Sequence, residues 1–118
     1  MKRLQLILTG LLALGAVGHL IGTLTGYPWG SEIFVWSLTA VGYVALIVFL
    51  QILRINRPSD QPVMIAATMA TAAWVLLALA FGAAIGNVFD FRALMHAGVS
   101  AGLLATTILS RDQPVAAR

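Results

Sequence analysis

Four long runs of uncharged, mostly apolar residues divide this 118-residue chain, at residues 4–31, 33–53, 61–89 and 93–110. A helix that crosses a bilayer needs about 20 such residues, at about 1.5 Å of rise each. Together the runs leave room only for short connections. The pattern predicts an all-α integral membrane protein, a single membrane domain over residues 1–118. We expect transmembrane helices at about 4–25, 31–55, 61–86 and 90–110, packed as an up-down-up-down bundle.

Composition and the absence of cysteine exclude several classes of function. Only 9% of residues are charged, whereas soluble domains have about 25%. The basic residues form no patch with exposed aromatic side chains, so we expect no nucleic-acid partner. Without cysteine, the chain has no thiolate metal site and no thiol catalysis. Its serines show no pairing with histidine and aspartate, so the sequence predicts no catalytic residue and favours a protein that is not an enzyme.

Basic residues are distributed unevenly between the two sides of the predicted bundle. One side carries only Arg92, and the other carries Lys2, Arg3, Arg54, Arg57, Arg111 and Arg118. Because positively charged loops stay in the cytoplasm, this predicts a multi-pass inner-membrane protein with both termini in the cytoplasm. The charged start followed by an apolar run also fits a secretory signal peptide. No small-residue cleavage site follows it cleanly, so we expect a first span.

Small residues recur on one face of three predicted helices. Membrane helices pack where small residues let their backbones approach, because lipid supplies no hydrophobic drive between them. We therefore expect these faces to pack within the bundle or between protomers. The predicted partners are the lipid bilayer and either further copies of the chain, in a homo-oligomer, or a larger membrane complex. The glycines assigned to helix packing are Gly15, Gly18, Gly22, Gly82, Gly86, Gly98 and Gly102.

Two histidines lie inside apolar runs, His19 in the first and His96 in the fourth. Both should lie roughly 6–9 Å inside the same membrane boundary. A neutral histidine often only forms a hydrogen bond across a bundle. If the two converge, they could be the axial ligands of a haem b iron, with Arg92 holding a propionate. This resembles the general plan of membrane cytochrome b proteins, in the position and type of these two histidines alone.

Other metal sites are not expected, since zinc needs three or four protein ligands. Three functions stay open. We expect a small polytopic inner-membrane accessory or assembly protein without its own catalysis, which interacts through small-residue helix faces. The first alternative is a b-type haem electron-transfer protein with His19 and His96 as axial ligands. The second is a small transporter or lipophilic-ligand binder, although the chain differs from small multidrug exporters in having no carboxylate within its first helix.

Overall fold

The computed structural model describes residues 1–111 as four long α-helices joined by short turns. The helices are α1 (Lys2–Gly26), α2 (Glu32–Asn56), α3 (Gln61–Ala84) and α4 (Phe91–Arg111). All four are long and apolar enough to cross a membrane, which confirms the predicted all-helical class and the number of spans. Each boundary lies within two residues of its prediction. Arg118, predicted to flank the cytoplasmic side, lies outside the described residues.

Side-chain caps fix where three of the helices begin. The first amide groups of a helix have no partner inside it, and a serine or aspartate just before the helix supplies one. Ser31 accepts a hydrogen bond from the amide of Phe34 at 3.3 Å, and Asp60 accepts one from Val63 at 3.2 Å. Asp90 accepts one from the amide of Arg92 at 2.9 Å. These caps allow the turns to be short.

The end of α3 differs from the prediction because of Gly86. This residue has a φ of +70°, in the left-handed region that favours glycine. The chain reverses there, and the amide of Asn87 donates to the carbonyl of Gly82 at 3.0 Å. Helix α3 therefore ends at Ala84, two residues before its predicted end. Among residues 1–111 no atom lies within 4 Å of a Cβ atom placed on Gly86, and its positive φ forms the turn.

Each helix packs against two others: α1 and α3 both contact α2 and α4. Contacts between α1 and α4 pair Gln5 with Thr106 and Gly15 with His96. Residue numbers rise along one helix as they fall along the other, so α1 and α4 run antiparallel. The end where Gly26 of α1 lies near the start of α4 is called the Arg92 end below. A buried apolar cluster joins α1, α2 and α4, and it consists of Leu12, Ala16, Val44, Ile47 and Leu103.

Candidate functional site

His96 is buried, with 9% of its surface exposed. It lies against two other helices, α3 at Trp74 and α1 at Gly15. Its Nδ1 accepts a long hydrogen bond, 3.4 Å, from the indole Nε1 of Trp74 in α3, and the two rings meet edge to face. Because Nδ1 accepts, the neutral imidazole carries its proton on Nε2. Tyr43 of α2 packs against Trp74 at 5.8 Å between ring centroids. Its hydroxyl donates to the carbonyl of Ala70 at 3.2 Å. A row of three rings thus connects α2, α3 and α4.

The Cε1–Nε2 edge of His96 lies against α1 at Gly15. A Cβ atom placed on Gly15 would be 3.0 Å from Cε1, 3.1 Å from Nε2 and 2.8 Å from the methyl carbon of Met95. Such distances are shorter than side chains normally tolerate, so the ring reaches α1 only because residue 15 has no side chain. Gly15 therefore lies at a close contact between α1 and α4, and that contact is with a candidate site residue.

His19 lies one helical turn beyond Gly15 on α1, about 6 Å closer to the Arg92 end than the point that His96 contacts. Its Nε2 atom is buried and has no hydrogen-bond partner among residues 1–111. The helical rise places His19 about one turn from the level of the His96 ring, towards the end of α1 that lies near the start of α4. The structure thus brings the three residues singled out in the sequence to the same end of the α1–α4 pair.

Arg92 is two-thirds exposed, and its guanidinium is held by the neighbouring Asp90. The Nε and Nη2 atoms each donate to a carboxylate oxygen at 3.0 Å. These hydrogen bonds lower the pKa of Asp90 from 3.8 to about 2. The same guanidinium lies 5.9 Å from the centroid of the Phe81 ring. Two of its three nitrogens are therefore already paired within the chain, which leaves Arg92 a weaker anchor for a propionate than the sequence predicts.

A haem between the two histidines requires space that the described arrangement does not provide. The Nδ1 atom of His96 is bonded to Trp74, so an iron would have to bind at Nε2. The backbone of α1 at Gly15 covers that edge. A macrocycle there would require α1 to move away from α4, and the haem hypothesis stays a prediction. Within residues 1–111, no three histidine, aspartate or glutamate side chains cluster as a metal site.

Ser100 lies one turn after His96 on α4 and is fully buried. Its hydroxyl has no hydrogen-bond partner among the residues that the structure describes. Hydroxyl groups within helices usually donate to a carbonyl one turn earlier. Buried threonines here do so, with donor–acceptor distances of 2.7–2.8 Å at Thr9, Thr23, Thr71 and Thr107. The hydroxyl of Ser100 therefore differs from those of its polar neighbours.

Sequence reasoning missed a second buried polar cluster, closer to the α2–α3 turn. The amide of Gln51 donates to the hydroxyl of Thr71 at 2.8 Å, and its carbonyl accepts from the Nε of Arg54 at 2.9 Å. The sequence assigns Arg54 only to the cytoplasmic flank, but the structure leaves it 6% exposed. The available signal was a glutamine inside an apolar run with an arginine three residues later, on the same helix face.

The predicted packing glycines fall into two groups. Gly82 would place a Cβ atom 3.3 Å from the carbonyl oxygen of Asn87, and Gly102 would place one 3.3 Å from Leu8. With Gly15, these glycines are covered by the chain itself. In contrast, no atom of residues 1–111 lies within 4 Å of a Cβ atom placed on Gly18, Gly22 or Gly98. The first group packs this bundle, and the second faces away from it.

An open apolar groove of about 270 Å³ runs between α1 and α2, at residues 13–20 and 41–48. Its walls are alanine, valine and leucine side chains, and they include neither histidine. The groove lies near the middle of both helices. It has no polar group to orient a ligand, so it does not extend the histidine site.

Comparison of the chain with protein-family models, with curated proteins and with solved structures finds no match.

Proposed function

We propose that this chain is a small polytopic inner-membrane accessory or assembly protein, without catalysis of its own, that associates with a second copy through α1 and α4. One observation carries the proposal. Gly18, Gly22 and Gly98 are open, although glycines elsewhere on the same helices are covered by the chain. Membrane helices approach one another where glycines remove the side-chain barrier between them. Glycines that this bundle does not use are therefore available to a further helix.

The position of Gly18 and Gly22 on α1 supports the same proposal. They are four residues apart, which places them on one line of the helix. Large apolar side chains lie at one end and on one side of that line: Leu14, 67% exposed, is one turn before Gly18, and Ile21, 58% exposed, is about 80° around the helix from the line. A shallow glycine surface bordered by large residues suits a helix that packs closely along it, as in helix pairs with glycines at this spacing.

We infer that the bundle is up-down-up-down, with both termini in the cytoplasm. Antiparallel contacts between α1 and α4 support this arrangement, as does the concentration of basic residues at the end opposite Arg92. Aromatic side chains at the Arg92 end fit a membrane interface, with Trp29 77%, Phe89 81% and Phe91 78% exposed. A reporter that is active only in the cytoplasm should be active when it is fused to the C-terminus, and a reporter that is active only outside the cytoplasm should be inactive there. Activity on the other side of the membrane contradicts the topology.

Energy transfer between labelled copies in lipid vesicles tests the association. Gly22→Leu should abolish the transfer, because a large side chain would hold the second helix away. Gly10→Leu is the matched control: Gly10 is also open and on α1, but it lies about 100° around the helix from the line of Gly18 and Gly22. Gly102→Leu is unsuitable, since Gly102 already contacts Leu8 inside the bundle.

Two outcomes of this experiment would refute self-association. One is the absence of transfer between wild-type copies at any protein-to-lipid ratio, which would leave a larger complex as the partner. The other is an equal loss of transfer in Gly22→Leu and Gly10→Leu, because a specific surface must distinguish the two sites.

The haem alternative has one observation in its favour, the buried and unpartnered Nε2 of His19. An absorption spectrum of the purified protein tests it, since a haem with two imidazole ligands has a strong Soret band. If the band is present, His19→Ala and His96→Ala should each abolish it. If the band is absent after expression with excess haem, the haem alternative is rejected and the accessory function is the one that stays.

A further inference from the structure

Two polar atoms inside the bundle have no partner in residues 1–111: the Nε2 of His19 and the hydroxyl oxygen of Ser100. Ser100 is fully buried. A polar group without a hydrogen bond is costly inside a protein, and most of those that are found bind water or a ligand. These two atoms are therefore the strongest indication of an occupant among the described residues.

The polar side chains are ordered along the bundle from the Arg92 end. Arg92, His96 and Ser100 follow one another at intervals of four residues on α4, which is about 6 Å per step. His19 lies one turn nearer the Arg92 end than the contact between Gly15 and His96. The order from that end is thus His19, His96 and Ser100.

We propose that water enters the bundle from its Arg92 end and reaches the hydroxyl of Ser100, with His19 and His96 as the polar wall of the path. Water would supply partners for both orphaned atoms, and His96 lies between His19 and Ser100 in height along the bundle. Leu103 is fully buried, with 0% of its surface accessible. It lies about one turn deeper than Ser100 on α4, and it closes the path near the middle of the bundle.

This proposal does not depend on the association of two copies. It concerns the interior of a single chain, and it assigns His19 and His96 a role in admitting water without any cofactor. The occupant is water or a small solute that forms hydrogen bonds, because the polar atoms that wall the path are neutral imidazole and hydroxyl groups.

Cysteine accessibility tests the path, because the chain has no cysteine of its own. The variants Ser100→Cys and Ala97→Cys are reconstituted in vesicles and treated with a small cationic methanethiosulfonate that does not cross lipid. Ala97 is the matched control, since it is on the same helix, within one turn of Ser100, and 6% exposed. Val88→Cys, in the exposed α3–α4 turn, measures how many molecules present the Arg92 end to the reagent.

Ser100→Cys should react, and Ala97→Cys should react much more slowly. Adding His19→Phe to Ser100→Cys should slow the reaction about tenfold, because the path loses a hydrogen-bonding wall. A thiol at residue 100 that is as unreactive as the one at residue 97 overturns the proposal. Equal fast reaction at both positions also overturns it, since the whole bundle would then be open. An unchanged rate with His19→Phe removes His19 from the path and overturns the order of entry.

Discussion

Adding one methyl group at Gly15 tests how the histidine site is built. In Gly15→Ala the new Cβ atom would lie 2.8 Å from the end of Met95 and 3.0–3.1 Å from the ring of His96. The methionine end is flexible and can move at little cost. The imidazole is less able to move, because its Nδ1 atom accepts a hydrogen bond from Trp74 and the two rings pack edge to face. We expect α1 to be pushed away from α4 at this point.

Two opposing effects set the magnitude. Overpacking a tight contact costs about 1–3 kcal/mol. Replacing a helical glycine by alanine returns roughly 0.5–1 kcal/mol through helix propensity. The net expectation for Gly15→Ala is a loss of up to about 2.5 kcal/mol, with a central value of about 1 kcal/mol. Gly18→Ala, at a position with nothing within 4 Å, should instead be neutral or gain up to about 1 kcal/mol.

Reversible unfolding in mixed micelles, with an increasing fraction of denaturing detergent, measures this difference. Trp74 fluorescence is a local probe when Trp29 and Trp36 are replaced by phenylalanine. Gly15→Ala should lower the midpoint and change the Trp74 emission of the folded state, whereas Gly18→Ala should do neither. Equal stability of the two variants, with unchanged Trp74 emission, would refute the packing of His96 against α1.

Three further changes test other contacts. Gln51→Leu should lower the free energy of unfolding by about 1–3 kcal/mol, because Arg54 and Thr71 both lose hydrogen bonds to it; detergent unfolding that matches wild type would contradict the buried cluster. Tyr43→Phe should cost only about 0.5–1.5 kcal/mol by the same measurement, since it removes one hydrogen bond to Ala70. The pKa of Asp90 is lowered from 3.8 to about 2, so its charged form stabilises the folded chain above the ordinary pKa, and that contribution is lost as the pH falls towards 2. Asp90→Asn should remove this acid-dependent loss, and unfolding midpoints compared from neutral to acid pH would show whether it does.

Features that depend on a few neighbouring residues could be predicted from the sequence. The spans follow from the length of the apolar runs, and the cap at Ser31 follows from its place before a helix, whereas before α3 the sequence allows Ser59 or Asp60 and the structure has Asp60. The exception within this local scale is the end of α3. Gly86 fits a helical packing pattern and a turn equally well by residue type, and only its positive φ in the structure decides for the turn.

Features that depend on contacts between helices could not be predicted. The pairing of Trp74 with His96 requires the relative height of α3 and α4, which no residue pattern within either helix specifies. Burial of Arg54 depends in the same way on how α2 meets α3. The proximity of the histidine region to Arg92 was predictable in outline, because a short bundle places the end of its first helix near the start of its fourth.

The rotation of α1 about its axis decides what each of its glycines does. Gly15 and Gly18 are about 60° apart around the helix, yet one contacts His96 and the other contacts nothing. Apolar side chains do not fix this rotation, since lipid receives them as readily as a neighbouring helix does. A polar side chain that bonds to another helix does fix it, as Gln5 does by donating to the carbonyl of Thr106 at 3.1 Å, because hydrocarbon offers no such partner. On α1 the buried polar residues are Gln5, Thr9 and Thr23, each at most 5% exposed. The face that they define, and not the line of glycines, is the one that turns towards the bundle, so the glycines beyond its edge remain available to a partner.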